Sequence, residues 1–285
     1  MYIASNWQDY QVLDTGDGEK LERWGDIILC RPDPQVIWPK QQPALWKGAD
    51  ARYHRSAKGG GEWEFRRKLP DRWVIRYGQL QFYVRPTGFK HTGLFPEQAV
   101  NWDWMASLIK DAQRPIRVLN LFGYTGGATL ACAHAGAQVT HVDAAKGMTL
   151  WAGENAELSR LDKSRMRWIV DDALKFIQRE ARRGNAYDAI LMDPPSYGRG
   201  PGGEVWKLED ALFQLVAACN NILSENPLFM LINGYTTGFQ PSVLANMLQM
   251  TAQKAFGGTT DANEIVLPVH SGGLLPCGTS GRWHR

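Results

Sequence analysis

The sequence predicts an α/β protein in two parts, a regular run of alternating strands and helices from residue 116 and a smaller β-rich region before residue 110. Three observations predict it. Beyond residue 116, five short apolar strand-like segments alternate with five helical ones, the pattern of a mostly parallel sheet covered on both faces. Before residue 110, dense turn signals ("DTGDGE", "RPDPQ", "KGGGEW", "RPTG") separate short strand-like runs. The 285 residues suffice for one large domain and a smaller one, and 44% hydrophobic against 21% charged residues exclude a disordered chain.

In the first part the strand-like runs are "WGDIILCRP", "EWEFRRKL", "RWVIRYG" and "LQFYVRP", some alternating in polarity, with eight of the twelve Trp before residue 110. "PEQAVNWDWMASLIKDAQ" then reads as a helix. The boundary is expected near 110/111, with residues 1–110 a β-rich domain that binds substrate and residues 111–285 a catalytic domain. In the second part "IRVLNLF" precedes helical "GGATLACAHAG", and "QVTHVDA" precedes "KGMTLWAGENAELSRL". "MRWIV" precedes "DDALKFIQREARRG", "YDAILMD" precedes a loop and "KLEDALFQLVAACNNIL", and "LFMLING" precedes "PSVLANMLQMTAQKA". "EIVLPV" and "GRWHR" suit a final pair of strands.

The net charge of +3 says little about partners, but residues 47–90 carry eleven Lys/Arg against four Asp/Glu. Cysteines 30, 132, 219 and 277 are too far apart for a metal site or a disulfide framework, and the scattered His residues offer no metal box. "MYIASNWQDY" lacks the basic and apolar regions of a signal peptide, and no run approaches the ~20 apolar residues of a membrane span. A reducing, cytoplasmic compartment and no membrane partner are expected.

A parallel sheet of this kind binds ligands beyond the carboxyl ends of its strands, at the switch point after the first strand. "LFGYTGGATL" lies there. Gly123, Gly126 and Gly127 permit unusual backbone angles and remove a Cβ that would block close approach; the alternative is a turn packed for its own sake. Asp143 ends the second strand 20 residues after Gly123, where an acid can accept both ribose hydroxyls of a nucleoside cofactor. The spacing G-Y-T-G-G does not match the G-x-G-x-x-G of a nicotinamide site. The fourth strand ends in "DPPSYG", residues 193–198, where two prolines stiffen the loop and expose Asp193 and the carbonyls beside it, or simply make a turn.

In this order the motifs resemble those of class I S-adenosylmethionine (SAM)-dependent methyltransferases. More narrowly, they are similar to the group that includes bacterial large-subunit ribosomal-RNA cytosine-C5 methyltransferases. The resemblance covers about residues 85–240. It implies a Rossmann-like sheet, SAM as cofactor and S-adenosylhomocysteine as product. "RPTGFKHTGLFPEQ" resembles the segment that packs over the cofactor, which brings in Phe95 and Gln98. The loop Phe122, Gly123, Tyr124, Thr125 and Gly126 would lie against the methionine moiety. Asp143 with Ala144 would hold the ribose, Asn155 follows in the next helix, and Asp172 with Ala173 would meet the adenine. Asp193, Pro194 and Tyr197 would face the substrate amine, with Asp193 also at the cofactor, and Arg199 in the same loop would contact substrate.

Cytosine-C5 chemistry needs a thiolate that adds to the ring. In the related enzymes that cysteine follows the fifth strand, where this chain reads "LINGYTTG". Cys132 and Cys219 fall in predicted helices as core residues. Cys277 is the remaining candidate nucleophile, as a loop residue near the catalytic sheet. N-methylation suits "DPPSY" better, although Ser196 intervenes before the aromatic. In the basic stretch, cations alternate with aromatics, either to pair with phosphates and stack on bases or to form a solvated sheet face over an aromatic core. Arg66, Arg67 and Lys68 are candidate RNA contacts, and His91 is a candidate acid or base. The expected function is a SAM-dependent methyltransferase acting on RNA, ribosomal RNA foremost. Its rivals are a methyltransferase of proteins or small molecules, a non-catalytic RNA-binding protein and a nicotinamide oxidoreductase.

Overall fold

The computed structural model describes residues 1–56, 60–199, 205–236 and 238–285. The chain divides into two units. One is Tyr2–Val100 with Val266–Cys277; the other is Asn101–Ile265 with Gly278–Arg285 and Met1. The division is therefore not a single cut: after the second unit is built, the chain returns to the first for Val266–Cys277.

The N-terminal unit opens with β1 (Tyr2–Ile3) and then forms a five-stranded sheet. Its strands are β2 (Tyr10–Gly16), β3 (Glu19–Trp24), β4 (Ile27–Pro32), β5 (Ala51–Arg55) and β6 (Gly61–Phe65), in that spatial order. The "DTGDGE" signal is the β2–β3 hairpin. Asp17 and Gly18 both take positive φ, 53° and 77°, as the two-residue Asp-Gly turn requires to match strand twist. A separate hairpin joins β7 (Trp73–Tyr77) to β8 (Leu80–Val84). Leu21, Cys30, Trp46 and Ala49 pack as a small core.

The second unit begins in α1 (Ala99–Asp111). It then alternates β9 (Arg117–Leu121), α2 (Gly127–His134), β10 (Gln138–Asp143), α3 (Lys146–Leu158), β11 (Met166–Val170), α4 (Ala173–Arg182) and β12 (Ala189–Met192). A short hairpin of β13 (Tyr197–Arg199) and β14 (Val205–Lys207) leads into α5 (Leu208–Asn220) and β15 (Phe229–Gly234). Helix α6 (Pro241–Leu248) runs through one π turn, Gln249–Gln253, into α7 (Lys254–Phe256); β16 (Thr259–Pro268) and β17 (Leu274–His284) close the chain.

The strand order is β11-β10-β9-β12-β15-β17-β16. The first five are mutually parallel, and β17 runs antiparallel to β15. After β11 the chain crosses to the far side of β9, so β9 sits at the switch point between β10 and β12. Apart from Asn120, its buried residues are apolar for the reason that identifies it in the sequence: a central parallel strand is buried on both faces. Leu119, Leu121, Ile190, Met192, Met230 and Ile232 join residues of α4, α5 and α6 in one core. Register aligns Leu121 with Val142 and Met192, so the carboxyl ends of β9, β10 and β12 finish level.

The N-terminal unit buries charge rather than excluding it. Glu22 is fully buried on β3. Its carboxylate accepts from Arg31 Nε (2.6 Å), Arg31 Nη2 (2.8 Å) and the Tyr10 hydroxyl (2.6 Å). Lys20 stands 4.0 Å from the same carboxylate and 3.3 Å from Asp33. Burial opposes ionisation, but Arg31 and Lys20 outweigh it and bring Glu22 down to about 2. A folded-state value below the ordinary carboxylate range means this contribution is complete above about pH 4.5 and is lost as pH falls toward 2. Removing the charge strands a buried guanidinium. Glu22→Gln should therefore lower stability in urea unfolding at pH 7 by about 3–5 kcal/mol, with the gap to wild type closing as pH is lowered through 4.

Candidate active site

The turn after β9 is held from every side. Gly123 N donates to Val142 O (3.0 Å), Gly126 N to Gly123 O (3.0 Å), and Asn155 Nδ2 of α3 to Thr125 O (2.9 Å). Tyr124 N donates to Asp143 Oδ2 at 2.8 Å. Positive φ falls on Phe122 (57°), Tyr124 (50°) and Gly126 (89°). Left-handed angles at two aromatic residues cost of order 1–3 kcal/mol each, which the surrounding hydrogen bonds must offset.

The glycines serve differently from the sequence expectation. Gly126 supplies a left-handed angle, but Gly123 and Gly127 make room for protein rather than ligand. A Cβ on Gly123 would lie 2.4 Å from the His141 ring, and one on Gly127 would lie 2.5 Å from Trp102. His141, on β10, was not foreseen. Its ring is wholly buried and burial brings it down to about 3, so it is neutral. Thr129 Oγ1 links Asn120 Nδ2 (2.8 Å) to His141 Nδ1 (2.9 Å), while His141 Nε2 is buried with no hydrogen-bond partner among the described residues. The glycine turn thus rests on a neutral imidazole.

Asp143 ends β10. Oδ2 holds Tyr124 N and Oδ1 accepts from Ala145 N at 2.8 Å, which ties the glycine turn to the start of α3. Burial nevertheless raises the carboxyl above its ordinary value, against the pull of the two backbone donors. Each oxygen keeps a second lone pair. A half-buried carboxylate short of donors fits a pair of ribose hydroxyls, and Ala144 beside it is exposed. Asp172 is the N-cap of α4 through Lys175 N (2.9 Å), and Ala173 begins that helix. One carboxylate oxygen is thereby engaged in capping. Its neighbour Asp171 pairs with Arg179.

Asp193 follows β12, and its N–H donates to Leu121 O (3.4 Å), so the acidic tip abuts the glycine turn. The loop is less open than its prolines suggest. Asp193 is half-buried and Pro194 buried. Pro195 O accepts from Trp206 Nε1 (2.6 Å) and Ser196 O from Leu208 N (3.1 Å), while Ser196 Oγ meets Thr236 Oγ1 (2.6 Å). Among the described residues no hydrogen bond to Pro194 O is found. Tyr197 starts β13 and is exposed; Arg199 ends β13, and its side chain lies outside the described residues. Trp206 was missed. It stands opposite Gly198 in the hairpin and meets Phe122 at 5.4 Å, so one indole joins the cofactor turn to the diproline loop.

Cys277 is not a loop residue. It lies within β17, its thiol bonded to Leu275 O, and burial together with the Glu97 charge pushes it well up. Burial also raises Cys30 and Cys132 to about 12, and raises Cys219. Asn233, at the end of β15, is buried and bonded to Asn101 Nδ2 (3.1 Å) and Ser280 Oγ (3.0 Å).

The remaining predicted residues belong to the N-terminal unit. Phe95 precedes the short turn Pro96–Gln98, and Gln98 is buried with its N–H on Phe95 O. Burial and the charges of Arg31, Lys90 and Lys20 bring His91 to about 4, so it is neutral, with its ring 5.5 Å from Phe95. Arg66, Arg67 and Lys68 are exposed; Arg67 pairs with Asp50 (2.5 Å), and Arg66 Nη1 donates to Lys47 O (3.1 Å). Among the described residues no cluster of His, Cys, Asp and Glu could hold a metal, and no helix is long and apolar enough to cross a membrane.

The family model for S-adenosylmethionine-dependent methyltransferases matches residues 48–224. The chain is similar over 99% of its length to the crystal structure of the SAM-dependent methyltransferase from Agrobacterium tumefaciens, at 40% identity and a TM-score of 0.94, covering 92% of that chain. It is 30% identical over 210 residues, 72% of this chain, to the ribosomal RNA large subunit methyltransferase K/L of Shewanella frigidimarina. It is 35% identical over 186 residues, 61% of this chain, to the same-named protein of another Shewanella strain. The chain spans only 27% and 23% of the lengths of these two relatives.

The ring beneath Gly123 yields a test. Gly123→Ala must displace His141 and should cost about 1–3 kcal/mol in urea unfolding. Gly153→Ala, inside α3 with nothing within 4 Å of the added carbon, should instead stabilise by up to about 1 kcal/mol.

Proposed function

Because the chain belongs to the S-adenosylmethionine-dependent methyltransferases, we propose that it transfers a methyl group to a nitrogen of an RNA base, in ribosomal RNA first of all. The observation that carries the reading is the level junction of the glycine turn with the diproline loop, joined by Asp193 N and Leu121 O. When bound, the cofactor supplies an electrophilic methyl group on a sulfonium that is its own leaving group. The protein's share is mainly alignment, which can provide about 7–11 kcal/mol.

Asp143 would hold the ribose hydroxyls, and the free oxygen of Asp172 the adenine amine, with Ala144 and Ala173 beside them. The turn Phe122–Gly126 would flank the methionine moiety; Phe95 and Gln98 keep the role the sequence resemblance gives them. The Asp193 carboxylate and Pro194 carbonyl are two acceptors side by side, suited to the two N–H groups of an amino-bearing base edge. Tyr197 and Trp206 would bound the base, and Arg199 a neighbouring phosphate. A nitrogen nucleophile brings its own lone pair. A pyrimidine C5 would need a thiolate, and all four thiols are raised well above neutral pH.

The relatives' names favour ribosomal RNA, and the cytoplasm is the compartment that fits such a substrate. Tritium from labelled SAM should enter total RNA and be lost with Asp193→Ala. Cys277→Ser should retain the activity. Calorimetry with S-adenosylhomocysteine should show at least about tenfold weaker binding for Asp143→Ala, since hydrogen bonds to a charged group contribute about 1.5–3 kcal/mol each. Label in protein but not in RNA would refute the substrate reading and leave the cofactor reading standing.

A further inference from the structure

Strands β5 and β6 sort their side chains by charge. Their register sets Tyr53 opposite Trp63, Ala51 opposite Phe65 and Arg55 opposite Gly61, so Tyr53, Arg55, Trp63 and Phe65 share one face. Arg52, His54, Glu62 and Glu64 share the other. On that other face Glu64 pairs with His54 at 2.7 Å, and Arg52 reaches Glu19 at 3.5 Å. The aromatic face receives no carboxylate from either strand.

That face is extended by a fixed loop. The Trp63 indole N–H donates to Thr87 O (2.8 Å) and Phe89 O (3.2 Å), which draws residues 85–92 onto it. The loop is closed internally by Thr87 N and Oγ1 on His91 O, and Arg31 Nη1 holds Lys90 O at 3.0 Å. Trp63 stacks with Phe65, the planes 27° apart and the centroids at 6.4 Å. The indole thus stacks on the Phe65 ring and holds the Phe89 backbone, and solvent reaches both phenylalanines: Phe65 is 52% exposed and Phe89 65%. Cations accompany them. Burial and the charges of Lys20, Arg31 and Arg55 bring the Lys90 ammonium down to about 8, with Asp33 alone opposing. Exposed aromatics next to the Arg55 and Lys90 side chains complement a polyanion with π faces, not an apolar partner.

We propose that this face of the N-terminal unit is a stacking platform for unpaired RNA, with bases on Phe65 and Phe89 and phosphates at Arg55 and Lys90. The inference rests on the RNA reading above and names how the strand is gripped. The full chain is titrated into a labelled, unpaired oligoribonucleotide of about ten nucleotides, followed by anisotropy. Phe65→Ala with Phe89→Ala should weaken binding at least about tenfold without changing the salt slope. Arg55→Gln should lower the slope of log K against log salt by about 0.7. Affinity for S-adenosylhomocysteine and the melting temperature should stay at wild-type values in both variants. A duplex of the same sequence should bind more weakly than the single strand. Unchanged RNA affinity in the double variant, or equal affinity for duplex, overturns the platform and leaves the RNA reading intact. A wild-type chain that ignores the oligonucleotide overturns both.

Discussion

Phe122 and Tyr124 hold left-handed backbone angles that side-chain-bearing residues avoid, and the Asp143 carboxylate is what fixes them there. It receives Tyr124 N on one oxygen and Ala145 N on the other, so two separate segments meet on one side chain. Asn155 and the Val142 carbonyl complete the restraint from α3 and β10. A turn held at so many points has few alternatives to relax into, which is the condition under which local strain persists. The consequence is preorganisation: a group bound at this edge meets a surface that need not rearrange. The same carboxylate also retains a second lone pair on each oxygen, so in the proposed reading one residue would serve both fold and binding.

Much of this was legible in the sequence because it depends on local order along the chain. Five apolar runs between helical patterns specify a parallel sheet, and an acid 20 residues beyond Gly123 marks the second strand tip. What the glycines do was not legible. Gly123 and Gly127 look alike in the sequence, yet one answers to His141 on the next strand and the other to Trp102 on a helix before the first strand. Those contacts exist only once β9, β10 and α1 are packed. Trp206 escaped for a similar reason: its bond to Pro195 O and its contact with Phe122 depend on a hairpin that short fragments such as "EVWKLE" do not announce.

In the N-terminal unit, the linear pattern hid the sorting of charge. "EWEF" reads as acid and aromatic interleaved, which suggests a mixed surface. A strand turns successive side chains to opposite faces, so the same four residues become one acidic face and one aromatic face. The partners complete the separation, since His54 and Arg52 lie on the acidic side while Arg55 falls on the aromatic side. Glu22 and Arg31 are hidden in the same way. Nine residues apart on neighbouring strands, they look like ordinary surface charges until the hairpin folds them inward, where each becomes the condition for burying the other.

The chemistry follows from where protons are held. Pyrimidine C5 methylation asks the protein for a thiolate, and every cysteine here sits where burial keeps the proton on sulfur. At the end of β15 stands Asn233, an amide locked to Asn101 and Ser280. What the edge does present is acceptors: a carboxylate at Asp193 and the Pro194 carbonyl, beside two carbonyls already engaged by Trp206 and Leu208. In the proposed nitrogen transfer, acceptors would orient N–H groups and leave a nitrogen lone pair to attack, so the protein would need only to hold the nucleophile still. A rigid turn on one side and a diproline loop on the other, joined at Leu121 and Asp193, suit that task better than covalent activation.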